Sequence, residues 1–381
     1  MIIPINILLP ASAGILFLIQ SYYHMGLYRN LYLHSKKAKE ETETPPLSII
    51  LVAKDAASEL KKNLPAILEQ KYPDYEVIVI YDQSSDDGCE DMLKLLQDQY
   101  PHLHYSFIPD SARYISHKKL GITMGIKASR HEWLVFTEPN CRPASDQWLR
   151  KMARNFTPDT DIVLGYSNYE RAKGWFNRKI TFDTLLNSMR YLGSAINGHP
   201  YTGCGRNMAY RKSLYYQQKG FTSHLNLQRG EDDLFVNQTA NGKNTQVEAS
   251  PESIVRITAP NYKKDWYEEK LSHAMTSRLY KGSSRHFMDF ETYSRLLFLF
   301  LTIVCIVYGA LTQNWLTMSF AALLWLFRFL IQIMVFRKTS IALGERKFYS
   351  TLLLFDWIQP LWDFRFKLSQ RIRRKDEFMR R

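Results

Sequence analysis

Three stretches of this chain carry almost no charge over lengths that suit a bilayer, and they confine everything else the chain can fold into. From Ile2 to Tyr23 there is no Lys, Arg, Asp or Glu. From Leu296 to Phe336 the only formal charge is Arg328, and Gln313-Asn314 divides that run in two. Each piece approaches the ~20 residues that cross hydrocarbon as a helix. A buried helical hairpin is the soluble alternative for the second pair, but no soluble region of comparable size remains there to bury it. The basic residues follow the same plan. Arg29, Lys36, Lys37 and Lys39 come after the first run and Arg337 and Lys338 after the last, while Arg365, Lys367, Arg371, Arg373, Arg374, Lys375, Arg380 and Arg381 crowd the tail. All lie on one side if the N-terminus is outside and each run crosses once, as the positive-inside rule requires. The expected topology is a multi-pass cell-membrane protein with its large middle region in the cytoplasm.

The formal net charge of +13 is accounted for by those clusters. It does not run along a helix face with interleaved stacking aromatics, which argues against nucleic acid as a partner. The first run lacks a basic n-region and reads as an uncleaved anchor, not a leader. Phe348 to Phe366 contains Asp356, Pro360 and Asp363, so it reads as an interfacial amphipathic helix with Trp357 and Trp362 at headgroup depth and a cationic end on membrane lipids. Four widely spaced cysteines with no CxxC pair indicate neither a zinc site nor a disulfide framework.

Between the apolar runs, short β-branched stretches alternate with helical patterns. Strands are expected at Leu47–Ala53, Tyr75–Tyr81, Leu103–Phe107 and Glu132–Thr137, and helices at Ser58–Gln70, Cys89–Gln99 and His117–Ala128. That alternation argues for an open α/β sheet wound by right-handed crossovers. Ligands of such sheets bind beyond the carboxyl ends of the strands, which selects Lys54-Asp55, Asp82 and Glu138-Pro139-Asn140. No Walker A or GxGxxG motif follows the first strand, so side chains, and not a glycine cradle, must meet the ligand. Further on, Gly230-Glu231-Asp232-Asp233 crowds three carboxylates before an apolar run. Such neighbours raise one another's pKa and favour a proton acceptor, although an acid-capped helix start would look the same.

Taken in order, these segments resemble the family 2 glycosyltransferases, inverting enzymes of GT-A fold that use nucleotide-activated sugars, from about Leu47 to Gly282. The resemblance implies an open mixed sheet with helices on both faces, here with transmembrane helices at both ends. It divides the chain into an anchor (1–25), a linker (26–46), a catalytic domain (47–290), two transmembrane helices (291–338) and an interfacial helix with a basic tail (339–381).

The resemblance also implies roles. Asp232 stands as general base with Glu231 beside it to orient base or acceptor, and Asp233 as a surface or capping residue. Asp55, Asp82, Lys118, Lys119 and Arg278 stand as donor contacts; the alternatives are a helix start for Asp55, a helix cap or Asx turn for Asp82, a solvated helix start for Lys118 and Lys119, and a basic helix against anionic lipid for Arg278. Glu138 and Asn140 stand where the family holds Mg²⁺ or Mn²⁺ with Asp-x-Asp, with an ordinary turn as the alternative. The Gln-x-x-Arg-Trp motif of polymerising members has no equivalent, so transfer of one or a few sugars to a lipid-linked or glycan acceptor is expected. A catalytically weak component of a glycan-synthesis complex is the other reading, motivated by the altered metal motif and Ala56.

Overall fold

A computed structural model describes residues 5–37, 43–112 and 116–372. Met1–Pro4 of the first apolar run, Lys39, and Arg373, Arg374, Lys375, Arg380 and Arg381 of the basic tail lie outside them. The strands are β1 (Leu47–Ala53), β2 (Tyr75–Asp82), β3 (Leu103–Ile108), β4 (Trp133–Phe136), β5 (Cys141–Pro143), β6 (Ile162–Gly165), β7 (Ser167–Tyr169), β8 (Met208–Arg211), β9 (Thr245–Glu248) and β10 (Val255–Ile257). Seven form one mixed sheet in the order β3-β2-β1-β4-β8-β6-β9, and β5-β10-β7 form a smaller one. β1 runs parallel to both β2 and β4, with Leu47 opposite Tyr75 on one side and Trp133 on the other. The carboxyl ends of the three strands therefore come out together.

Alternation along β1 sorts its side chains to two faces. Ile49 and Leu51 pack beneath the helix Ala57–Leu68, in a core with Leu60, Leu64 and Trp148. Ile50 faces the other way, with Ile122 and Ile126 of the helix His117–Ala128. That helix lies close on the sheet because it carries glycines four residues apart. A Cβ on Gly121 would stand 2.7 Å from Val52, and one on Gly125 equally close to Ile50. The first turn, with Lys118, is thereby set against the strand ends.

Three helices are long and apolar enough to cross a membrane: Ile5–Ser35, Ser284–Leu311 and Trp315–Ala342. The first outlasts its apolar run, passing through a π-helical turn at Tyr23–Tyr28 and on to Ser35. The linker expected to begin at residue 26 is thus helical to Ser35, and it is fastened to the sheet domain. Tyr23, Leu27, Tyr28 and Leu31 share one core with Ile50, Phe136 and Phe182, and a Cβ on Gly193 would meet the Leu27 carbonyl at 2.7 Å. Burying Tyr and Leu side chains there is what offsets ordering the chain.

The helix Tyr349–Ile372 is tied to the other long helices by buried polar groups. Arg328, the one charge of the apolar runs, forms a two-pronged pair with Asp356 at 2.6 and 3.0 Å. Gln332 donates to the same carboxylate at 2.9 Å, and Arg328 donates to Gln20 of the anchor at 3.3 Å. Trp362 lies under the Lys179 ammonium, 4.0 Å from its ring centre. Buried ions are retained only when paired, so this cluster ties the helices Ile5–Ser35, Trp315–Ala342 and Tyr349–Ile372 together.

Asp356→Ala, which strands Arg328, is expected to lower stability by roughly 3–5 kcal/mol, whereas Arg328→Met with Asp356→Leu should recover most of it. Thermal unfolding of the full chain in detergent measures both. A double variant no better than the single would remove the pair from this role.

Candidate active site

The ends of β1, β2 and β4 open into a cleft of about 620 Å³. Asp82, the last residue of β2, is buried at its base. Its Oδ1 accepts from the amide and hydroxyl of Ser84 at 3.1 and 2.7 Å, and His117 Nδ1 lies 2.6 Å from Oδ2. Lys54 Nζ stands 3.5 Å away. Burial works to raise its pKa, but the Ser84 and His117 hydrogen bonds and the Lys54 charge prevail and hold it at about 2. Asp55 takes a left-handed conformation, φ 48°, where a short polar side chain is tolerated, and its amide donates to Ser85 Oγ at 2.9 Å.

A smaller polar chamber adjoins the cleft. Lys118, Glu138 and Arg229 line both. Lys118 Nζ donates to Glu138 Oε1 at 2.6 Å and pairs with Glu231 Oε1 at 2.8 Å. Arg206 donates through Nε to the other Glu138 oxygen at 2.8 Å and reaches Glu269 at 2.9 Å. Burial alone would push Glu138 up; Lys118 and Arg206 hold its carboxyl far below the usual range instead. Glu269 is likewise held at about 2, with burial outweighed by Arg206. Lys118 is raised, because the Glu138 and Glu231 charges outweigh its burial.

The acidic trio divides by partner. Glu231 is lowered, its burial outweighed by Lys118. Asp233, expected as a surface or capping residue, is buried; it accepts from the Leu234 amide at its helix start and braces a later segment, accepting from the Thr276 hydroxyl and, at 2.9 Å, from the Tyr280 hydroxyl. Asp232 accepts only backbone amides, Gly205 N on Oδ2 and Asp233 N on Oδ1, each at 2.8 Å. Burial and then the neighbouring Glu231 and Asp233 charges raise its pKa. Among the three, Asp232 is the carboxylate readiest to take a proton.

Five of the expected contacts, Asp55, Asp82, Lys118, Glu138 and Asn140, line the cleft, and Glu231 and Asp232 line the chamber. Lys119 and Arg278 are not brought there. Lys119 points the other way, its buried ammonium donating to the carbonyls of His224 and Leu227 at 2.6 and 2.8 Å, with burial pushing its pKa down to about 8. Arg278 is exposed on the short turn Ser277–Leu279 and lines neither space. His117, Arg206 and Glu269 join the site without having been expected there: His117 opens a helix the sequence predicts, whereas Glu269 lies mid-helix and carries no local signal.

Glu138 and Asn140 make a poor seat for a hard divalent ion, which takes charged oxygen ligands. Both Glu138 oxygens are paired with cations, and the neutral Asn140 carbonyl accepts from the Cys141 thiol at 3.3 Å. Among the described residues no cluster of three His, Cys, Asp or Glu side chains could hold a metal.

A third space of about 300 Å³ lies between the helix Trp175–Ile196 and the helices Lys263–Thr276, Ser284–Leu311 and Tyr349–Ile372. It shares Cys204, Arg206, Glu269 and His273 with the chamber, and Met288 and Phe366 line its far side. Cleft, chamber and cavity therefore form a series that ends against the candidate spans.

The family description "glycosyl transferase family 21" matches residues 14–366. Among solved structures, the mannosyltransferase PcManGT from Pyrobaculum calidifontis, in complex with GDP-Man and Mn²⁺, superposes with a TM-score of 0.53 at 17% identity, over 93% of this chain and 99% of that one. S. aureus TarS 1-349, in complex with UDP-GlcNAc, gives a TM-score of 0.42 at 14% identity, over 67% of this chain and 71% of that one. The Pyrobaculum likeness, which extends over both the sheet and the helices at its ends, shows a shared fold.

Asp82 is the most directly testable of these groups. Its pKa is ~3.9 when unfolded and about 2 when folded. A depressed carboxylate contributes stability in full above its unfolded pKa and loses it as pH falls through the folded value. Wild-type stability should therefore fall between about pH 4 and about pH 2 more steeply than that of Asp82→Asn, measured by denaturant unfolding across that window. Parallel profiles would show that the paired carboxylate is not what the fold relies on.

Proposed function

Because the chain belongs to glycosyl transferase family 21, and is an enzyme of that class, we propose that it is a membrane-bound, inverting transferase. It moves one sugar from a nucleotide-sugar donor to an acceptor at the membrane surface. The carrying observation is the position of Asp232, a buried carboxylate of raised pKa in the chamber between the cleft and the cavity that ends at the candidate spans. The donor occupies the cleft, its nucleotide against Asp82 and Asp55. An acceptor hydroxyl enters by the cavity, beside Met288 and Phe366, where a lipid-linked chain finds apolar walls. Asp232 takes the hydroxyl proton as the oxygen attacks the anomeric carbon opposite the leaving nucleotide, and a single displacement inverts that centre. Glu231, held by Lys118 and with its second oxygen unpartnered among the described residues, orients the acceptor.

The family 2 resemblance enters this reading as a kinship of mechanism. For Mg²⁺ or Mn²⁺, the second of which is named with the Pyrobaculum enzyme, Glu138 and Asn140 are a poor fit, and no step above is routed through an ion. The three long apolar helices support placement in the cell membrane, with the sheet domain cytoplasmic by the positive-inside rule.

Asp232→Asn is expected to reduce transfer by a thousandfold or more while donor affinity stays within about twofold, because a base acts on the acceptor in the transition state. Turnover with radiolabelled donor and membrane lipid extract, beside donor binding, reads both, and undiminished turnover would remove Asp232 from the role. For topology, a cysteine introduced at Gln313 should react with an impermeant maleimide on intact cells, and one at Glu252 only after lysis. The reverse pattern would put the sheet domain outside.

A further inference from the structure

The proposed donor leaves with a diphosphate, and the negative charge on it has to be met where the sugar–phosphate bond breaks. Resting on the donor-cleft reading above, we propose that this charge is met by the chain's own cations, Lys118 and Arg229 with Lys54 behind them, and that Glu138 positions Lys118 and Arg206 instead of holding a divalent ion.

The placement comes first. Lys118 and Arg229 are the two cations that line both the donor cleft and the chamber with Asp232, so they stand at the junction the leaving group must pass. The bonding comes second. An ammonium has three protons to donate. Glu138 and Glu231 engage two of those on Lys118, at 2.6 and 2.8 Å, which fixes the amine and leaves the third for a phosphate oxygen. Arg229 is exposed, and among the described residues it closes no ion pair, although its charge helps lower Glu231. Lys54, also exposed, stands 3.5 Å from Asp82 on the cleft wall.

The carboxylate that would otherwise bind a metal is used differently. Seating an ion on Glu138 would require Lys118 or Arg206 to give up its oxygen while remaining beside the new charge, and the second position of the motif, Asn140, offers no charge to compensate. In the step itself, the acceptor oxygen bonds to the anomeric carbon as the bond from that carbon to the diphosphate oxygen breaks. The hydroxyl proton passes to the Asp232 carboxylate, and the electron pair leaves on the diphosphate, which gains one negative charge. Cations fixed at that point stabilise the transition state without rearranging.

The test is thermal protection of the detergent-solubilised full chain by UDP, GDP and inorganic pyrophosphate, each in excess EDTA and in excess Mg²⁺ or Mn²⁺. Protection by at least one nucleoside diphosphate to the same extent in EDTA as with the ion supports the proposal, as does a loss of affinity of tenfold or more in Lys118→Met. Should Lys118→Met fail to fold, Arg229→Gln at the exposed position carries the same expectation. Asn140→Asp, by restoring the second carboxylate, should make binding respond to Mg²⁺, and Glu138→Gln should weaken binding equally with and without the ion. Protection that appears only with a divalent ion, or Glu138→Gln that abolishes only the ion-dependent part, overturns the proposal and leaves the donor cleft standing. No protection by any of the three probes in either condition overturns the donor cleft itself, and the proposal with it.

Discussion

Five carboxylates, Glu138, Glu231, Asp232, Asp233 and Glu269, are gathered within one small part of the interior, and the rest of the site depends on how their charge is offset. They come from four separate places: the loop after β4, the segment before the helix Asp233–Thr239, that helix itself, and the helix Lys263–Thr276. Two cations do most of the offsetting. Lys118 joins Glu138 to Glu231, and Arg206 joins Glu138 to Glu269. Taking charges out of water costs several kcal/mol each unless they are paired. The pairs consequently fix where these elements sit relative to one another. Asp232 is the exception, satisfied by backbone amides and crowded by like charge, and that crowding raises its pKa.

The same economy governs the helices. One arginine in the apolar runs is matched by one aspartate from the C-terminal helix, with Gln20 from the first long helix and Gln332 from the last apolar one completing the set. Phe182 stacks on Phe336 and Phe355, and Arg190 reaches Glu291 at 2.6 Å, so the sheet domain and the helices share both an apolar core and an ionic contact. The sheet domain is therefore packed against the long helices and not joined to them by a loose tether. The third cavity opens against the same helices, beside Met288 and Phe366.

Helix spacing shows how small residues decide large distances. Gly121 and Gly125 let the helix His117–Ala128 approach β1, and the approach brings Lys118 to the strand ends while turning Lys119 toward the carbonyls of His224 and Leu227. Adjacent lysines on a helix point about 100° apart. One therefore serves the cleft and the other holds the loop ahead of Gly230, a distinction that residue type does not reveal.

What the sequence determined by itself was what repeats locally or is read from long runs of one character. The first four strands and the helices between them follow the alternation and turn chemistry, the three apolar helices follow composition and length, and the carboxyl-end rule selected Asp55, Asp82 and Glu138 because a parallel sheet exposes those positions in any arrangement. What only the tertiary structure decided was pairing across the chain. That Glu138 meets Lys118 and Arg206, that Asp233 is braced by Thr276 and Tyr280, that Arg328 finds Asp356, and that Arg278 stays outside all depend on contacts between residues 20 to 70 positions apart, or on the close packing that brings them together. Charge is a long-range quantity whose sign a sequence displays. Its partner is a matter of geometry, and geometry here is settled by burial.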